Sequence, residues 1–206
     1  MTTALLDHAT LAGIKELEAS DDAEFAVRLL ANTPTHEGRD PALLRQWARA
    51  ATEFGSAMPQ VEAFARVVES NDGLTKGLLA RYTSRPAPTV EVFTDVLALA
   101  EELIDRLDWR HWYPAGSLRA AAIAHEAVHE QLHHGPVKKA LKRSLGHVVL
   151  HAGHHRLYGH VAGADEIAAH AYAGTVCGLG RSPLLLTSAL TVAVRTPHGS
   201  PLGRKK

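Results

Sequence analysis

The sequence predicts a mainly α-helical protein, and three observations support that class. Apolar residues recur at helical spacing in almost every segment, and no run alternates cleanly enough to predict a strand. Helix boundary signals are frequent, the clearest being Asp40 as an N-cap before Pro41. The apolar fraction of 46% and charged fraction of 21% suit an ordinary folded domain. We therefore expect a helical bundle-like domain with an N-terminal helical region.

The N-terminal region comprises residues 1–86. Its apolar spacing predicts helices over about 3–18, 21–31, 41–54, 59–70 and 74–82. The stretch Arg85-Pro-Ala-Pro88 then interrupts the helical pattern, which places a boundary between residues 86 and 87.

The second region comprises residues 87–195. Helices are predicted over about 89–107, 118–134, 137–158 and 164–179, with Ser117 as the cap of the second and Gly135-Pro136 at its end. The apolar stretch 183–194 is about half as long as a membrane span, so no membrane association is expected. Residues 196–206 are expected to form a disordered tail.

Composition restricts the partners and the compartment. The chain has 22 Lys plus Arg and 22 Asp plus Glu, so no overall field favours nucleic acid or an anionic membrane. A single cysteine, Cys177, excludes an internal disulfide framework and fits a reducing compartment. The N-terminus lacks a basic segment followed by an apolar run, so a cytoplasmic location is expected.

Histidine is the abnormal feature of the composition. The chain has 14 histidines, and most of them lie between His111 and His170. Such a concentration indicates either metal chemistry or a pH-sensitive surface.

The strongest motif within this region is HExxH, from His125 to His129. Residues four apart on a helix lie one turn apart on the same face, so both imidazoles can reach one metal ion, and we expect that ion to be Zn²⁺. Glu126 is rotated by about 100° from His125, beside the metal. There it could take a proton from water and return it to a leaving amine.

A catalytic zinc ion requires a third protein ligand. The chain does not continue as HExxHxxGxxH, because Leu132 and Gly135 occupy the Gly and third His positions. His133 continues the stripe, but a straight helix cannot bring three successive turns onto one ion. The ligand should come from another helix, and Glu166 is the best candidate.

The pattern HEAVH followed by ExxAxxxA, from Glu166 to Ala173 with Tyr172 between, resembles the ImmA/IrrE-type zincin metallopeptidases. It is also similar to the peptidase half of ArdC-like antirestriction proteins. The resemblance covers about 117–180, roughly a third of the chain. It implies a zincin-like metal-binding domain within 87–195, with Glu166 as third zinc ligand. It further implies a zinc-dependent peptidase acting on a protein or peptide substrate inside the cell.

Several histidines have no assigned role. His147, His151, His154 and His155 are predicted to share one face of the helix over 137–158, and His170 lies one turn after Glu166. One of them could support the metal site or a transition state, or they could line a helix surface.

Two other functions remain open. A carboxylate-bridged di-iron bundle could use the Glu126-Ala-Val-His129 unit together with Glu102, His151, Glu166 and His170. Glu166 and His170, however, are four residues apart instead of three. The third possibility is a non-enzymatic regulatory protein that binds metal.

Overall fold

The structure, a computed structural model, describes residues 6–61, 65–153 and 155–195. The chain is mainly helical, as predicted. The α-helices of the described residues are α1 (His8–Lys15), α2 (Asp22–Ala31), α3 (Pro41–Ser56), α4 (Gly73–Lys76), α5 (Thr94–Leu107), α6 (Ser117–His133), α7 (Gly135–Leu145), α8 (Ala164–Val176) and α9 (Pro183–Arg195). Short 3₁₀ helices cover Glu16–Ala19, Pro34–His36 and Trp109–His111.

The described residues also form two small sheets, so the expectation of a strand-free chain is wrong. Strands β1 (Arg66–Ser70), β2 (Ala80–Thr83) and β3 (Thr89–Phe93) form one sheet in the order β1-β3-β2. β1 runs parallel to β3, and β2 runs antiparallel to it. β4 (Val148–Ala152) and β5 (His155–Tyr158) form a separate antiparallel pair.

Three predicted helices are partly or wholly replaced by the first sheet. The segment 59–70 contains β1, and within 74–82 only the short helix α4 forms before Gly77, whose φ of 67° ends it. The segment 89–107 begins as β3 and becomes helical only at Thr94. The reason is alternation in Thr-Val-Glu-Val-Phe, where Val90 and Val92 are both fully buried on one face.

The predicted helix over 137–158 is wrong beyond Leu145. α7 ends there because Gly146 has a φ of 66°, the left-handed conformation that terminates helices. A second glycine with positive φ, Gly153, lies between β4 and β5. His147, His151 and His155 therefore lie on or beside a hairpin and do not share a helix face.

One large core includes residues from both predicted regions. Trp47 of α3 is buried in the same cluster as Leu103 of α5 and Ile167 of α8. The boundary predicted between residues 86 and 87 falls in the connection between the paired strands β2 and β3. Every helix in the described ranges is too short or too polar to cross a lipid bilayer. The predicted disordered tail, 196–206, lies outside the described residues.

Candidate metal centre

Helix α6 carries the HExxH residues. It begins after Gly116, whose φ of 79° lies in the left-handed region that glycine favours. Ser117 is the first helical residue and not the predicted cap; its hydroxyl donates to the Pro114 carbonyl. Val128 and Leu132 are buried in the core and fix the rotation of the helix. This rotation directs the motif histidines toward α8.

Helix α8 brings Glu166 to the same place. It begins after Gly163, which has a φ of 81° and whose added Cβ would lie 2.8 Å from Leu29 Cδ2. Ala168 and Ala169 are fully buried, and such small side chains allow close approach to neighbouring helices. Glu166 lies in the first turn, where the helix dipole favours a negative charge.

The three predicted ligands lie together. Nε2 of His125 is 3.0 Å from Nε2 of His129. Oε2 of Glu166 lies 3.4 Å from His125 Nε2, and Oε1 of the same carboxylate lies 3.2 Å from His129 Nε2. Donor atoms bonded to tetrahedral zinc at about 2.0–2.1 Å are about 3.3 Å apart. One ligand atom from each of the three residues lies within 4.8 Å of the other two, so the two imidazoles and one carboxylate can converge on a single ion, and this donor set fits zinc.

The charges of the cluster also suit a cation. Burial raises the pKa of the Glu166 carboxyl, but hydrogen bonds from His125 and His129 outweigh it and hold that pKa well below its usual value. For His129, burial alone would lower the pKa. The hydrogen bond and the negative charge of Glu166 outweigh burial, so the pKa of His129 is raised above its usual value. Glu166 is therefore an anion at neutral pH, and its side chain is 46% exposed against 14% and 10% for the two histidines.

Glu126 lies beside the three donors and is not one of them. Its Oε2 accepts a hydrogen bond of 2.9 Å from the backbone N–H of Tyr82, on β2. The Tyr82 hydroxyl donates to Glu130, one turn further along α6, at 3.0 Å. Strand β2 and helix α6 are thus joined at the candidate base.

A cavity of about 820 Å³ opens beside these groups. His125, Glu126, His129 and Glu166 line it, together with β2 and the inner face of α9. Its apolar lining includes Leu74, Leu79, Leu118, Ala121, Leu186 and Leu190. A substrate segment therefore has space next to the candidate ligands.

Two further contacts adjoin the three donors. His133 Nε2 is 2.7 Å from Asp165 Oδ2, which ties α6 to α8 one turn beyond His129. The ring centroid of His170 lies 4.3 Å from that of His125. Burial lowers the pKa of His170 well below its usual value, so this ring is neutral at neutral pH.

The histidines of the hairpin lie elsewhere. His147, His151 and His155 are not among the residues that line the cavity. His147 packs edge-on against Trp47 with ring centroids 5.1 Å apart. His154 lies outside the described residues. The described hairpin histidines therefore offer no support to the three donors.

Three acidic residues of α5, among them the Glu102 that a di-iron site would need, are paired with arginines. Glu102 pairs with Arg106 at 2.7 Å. Glu101 and Asp105 both pair with Arg110, at 2.5 and 2.6 Å. Glu102 is not among the cavity-lining residues, and the geometry therefore does not favour the di-iron alternative.

Sequence reasoning missed the contribution of β2, because Tyr82 contacts Glu126 through its backbone.

Comparison of the chain with protein families, with curated proteins and with solved structures found no match.

Proposed function

We propose that this protein is a zinc-dependent metallopeptidase. The observation that carries the proposal is the spacing of 3.0 to 3.4 Å among the His125, His129 and Glu166 donors, with Glu126 beside them. Zinc held here would activate a water molecule and polarise the carbonyl of the scissile bond. The proposal includes the zincin-like fold that the HExxH resemblance implies for this domain.

Glu126 is the proposed general base and acid. Its carboxylate is near the ligands without belonging to them, and it lines the cavity where a substrate would lie. In this role it removes a proton from the attacking water and delivers it to the leaving amine.

The edge of β2 supports an extended peptide as the substrate. Phe93 donates its N–H to the Leu79 carbonyl at 3.0 Å, which makes 79 and 93 a hydrogen-bonded pair in the antiparallel ladder. Ala80 and Tyr82 therefore direct their backbone groups away from β3, toward α6. A peptide segment could add to this edge through backbone groups other than the Tyr82 N–H, which donates to Glu126, with its carbonyl near the three donors.

The proposal is tested by comparing Glu126→Gln with His129→Ala. Glu126→Gln should keep zinc near one ion per chain and lose at least about 10²-fold in peptide hydrolysis, because an amide cannot accept the proton. His129→Ala should lose both zinc and activity. Metal analysis and a peptide-hydrolysis assay on the same preparations measure these effects.

Glu102→Gln is the matched control, since its carboxylate pairs with Arg106. It should retain zinc and activity, whereas a di-iron site would lose metal with this change. If Glu126→Gln hydrolyses peptides as well as the wild type, Glu126 is not the base. If purified protein binds zinc but hydrolyses no peptide, the metal-binding regulatory function replaces the peptidase.

A further inference from the structure

The amide of Tyr82 is directed at a catalytic group instead of into the sheet. In the β2–β3 register Arg81 lies opposite Glu91 in a hydrogen-bonded pair, so the Arg81 amide faces β3. The next amide, that of Tyr82, faces the opposite way and donates to Glu126 Oε2 at 2.9 Å. This contact crosses 44 residues of sequence and joins the sheet to α6.

The contact constrains a flexible side chain. A glutamate has several rotatable bonds, and ordering it costs conformational entropy. Glu126 has no ion pair with a basic side chain in the described part of the chain. Its position is therefore set by one neutral donor on a strand that is itself held by β3.

We propose that Tyr82 is a positioning residue, whose backbone N–H holds one oxygen of Glu126 and leaves the other turned toward the attacking water. The proposal rests on the proposed peptidase function. A general base must lie within hydrogen-bond reach of the proton that it removes, and small misplacements are costly to catalysis. A neutral amide fixes the carboxylate without the countercharge of a lysine or arginine.

The Tyr82 side chain has a separate contact, so backbone and side chain can be tested independently. Its hydroxyl donates to Glu130, not to Glu126. Tyr82→Ala removes the ring and hydroxyl and keeps the N–H, whereas Tyr82→Pro removes the N–H as well. Proline is tolerated on edge strands where the amide points away from the ladder, which is the case at this position.

The experiment compares the two variants as zinc-loaded proteins in steady-state peptide hydrolysis. Tyr82→Pro should have a kcat about tenfold or more below that of Tyr82→Ala, with KM within about threefold. Zinc content should be equal in both. Equal kcat values in the two variants would overturn the positioning role.

A second measurement covers the case in which Tyr82→Pro does not fold. Backbone hydrogen exchange of Tyr82 is measured by NMR in the wild type and in Glu126→Ala. Loss of the acceptor should speed exchange at Tyr82 by about tenfold or more, while Arg81, bonded into β3, should be unchanged. Unchanged exchange at Tyr82 would overturn the proposal.

The two proposals fail in different ways. If the zinc-loaded wild type hydrolyses no peptide, the peptidase function is wrong and the positioning role goes with it. The exchange comparison needs no activity, and it shows in that case whether the amide still holds Glu126. If hydrolysis is present and the Tyr82 variants have equal kcat, only the positioning role is wrong.

Discussion

At the scale of single residues, Glu166 is the side chain that completes the candidate metal centre. It is the one anion among the three donors and contacts both imidazoles, at 3.4 and 3.2 Å. Its position at the start of α8 adds the helix dipole to its environment. A divalent cation therefore depends on this residue for both a ligand and a compensating charge.

Replacing a residue that only supports a ligand already lowers metal affinity by up to about 100-fold. Replacing Glu166, a direct ligand, by Gln should therefore lower zinc affinity by at least about 100-fold. The variant keeps the size of the side chain and removes its charge. Competition with a chelator of known affinity measures the change. Glu130→Gln is the control, because Glu130 lines the same cavity without belonging to the three donors. The zinc affinity of this variant should equal that of the wild type.

The residues of the site differ in how visible they are in the sequence. His125, Glu126 and His129 follow from a fixed helical spacing, and Glu166 follows from the need for a ligand on another helix. Tyr82 could not be predicted in the same way. It acts through a backbone N–H that every residue except proline carries, so its role depends on the register between β2 and β3.

At the scale of elements, the helices that hold the site are predictable and the strands beside it are not. α3 and α6 extend over several turns with buried residues on one face, which gives a clear periodic pattern. β2 has only four residues, so its alternation spans too few repeats to be distinguished from a helix. The hairpin β4–β5 could not be predicted either, because its histidines occur at spacings that also fit a helix.

Helix α3 packs against α8, the helix that carries Glu166, and Gly55 lies at this contact. A Cβ added at Gly55 would lie 2.0 Å from the carbonyl oxygen of Ala168, so α8 would have to move. We expect Gly55→Ala to destabilise the fold by about 1–3 kcal/mol, the usual cost of overpacking. Because Ala168 is two residues from Glu166, zinc affinity should fall as well. Chemical unfolding and chelator competition measure the two effects.

Gly13→Ala is the matched control. Gly13 is also helical, in α1, and nothing lies within 4 Å of its added Cβ. This change should leave zinc affinity unaltered and stabilise the helix by up to about 1 kcal/mol, because alanine is the better helix former. If zinc affinity is the same in both variants, the α3–α8 contact does not set the position of Glu166.

At the scale of the whole molecule, the site lies where helices and sheet meet. α6 contributes the two histidines and Glu126, α8 contributes Glu166, and β2 contributes the amide that holds Glu126. The large core joins these helices to the N-terminal helices, with Trp47 buried in the same cluster as Ile167. A ligand that links α6 to α8 therefore acts on the core as a whole.

This arrangement predicts that zinc stabilises the entire fold. An ion that binds only the folded state adds about 4 kcal/mol at a free concentration 1,000 times its Kd. For a chain of 206 residues this corresponds to a rise in Tm of about 10 °C. Calorimetry of metal-free protein, with and without zinc, measures the rise, and Mg²⁺ should give none because it prefers oxygen ligands. The rise should be largely lost in Glu166→Gln and preserved in Glu126→Gln, since only the former residue is a donor. An equal rise in both variants would mean that zinc binds elsewhere on the chain, which would remove the basis of the peptidase proposal.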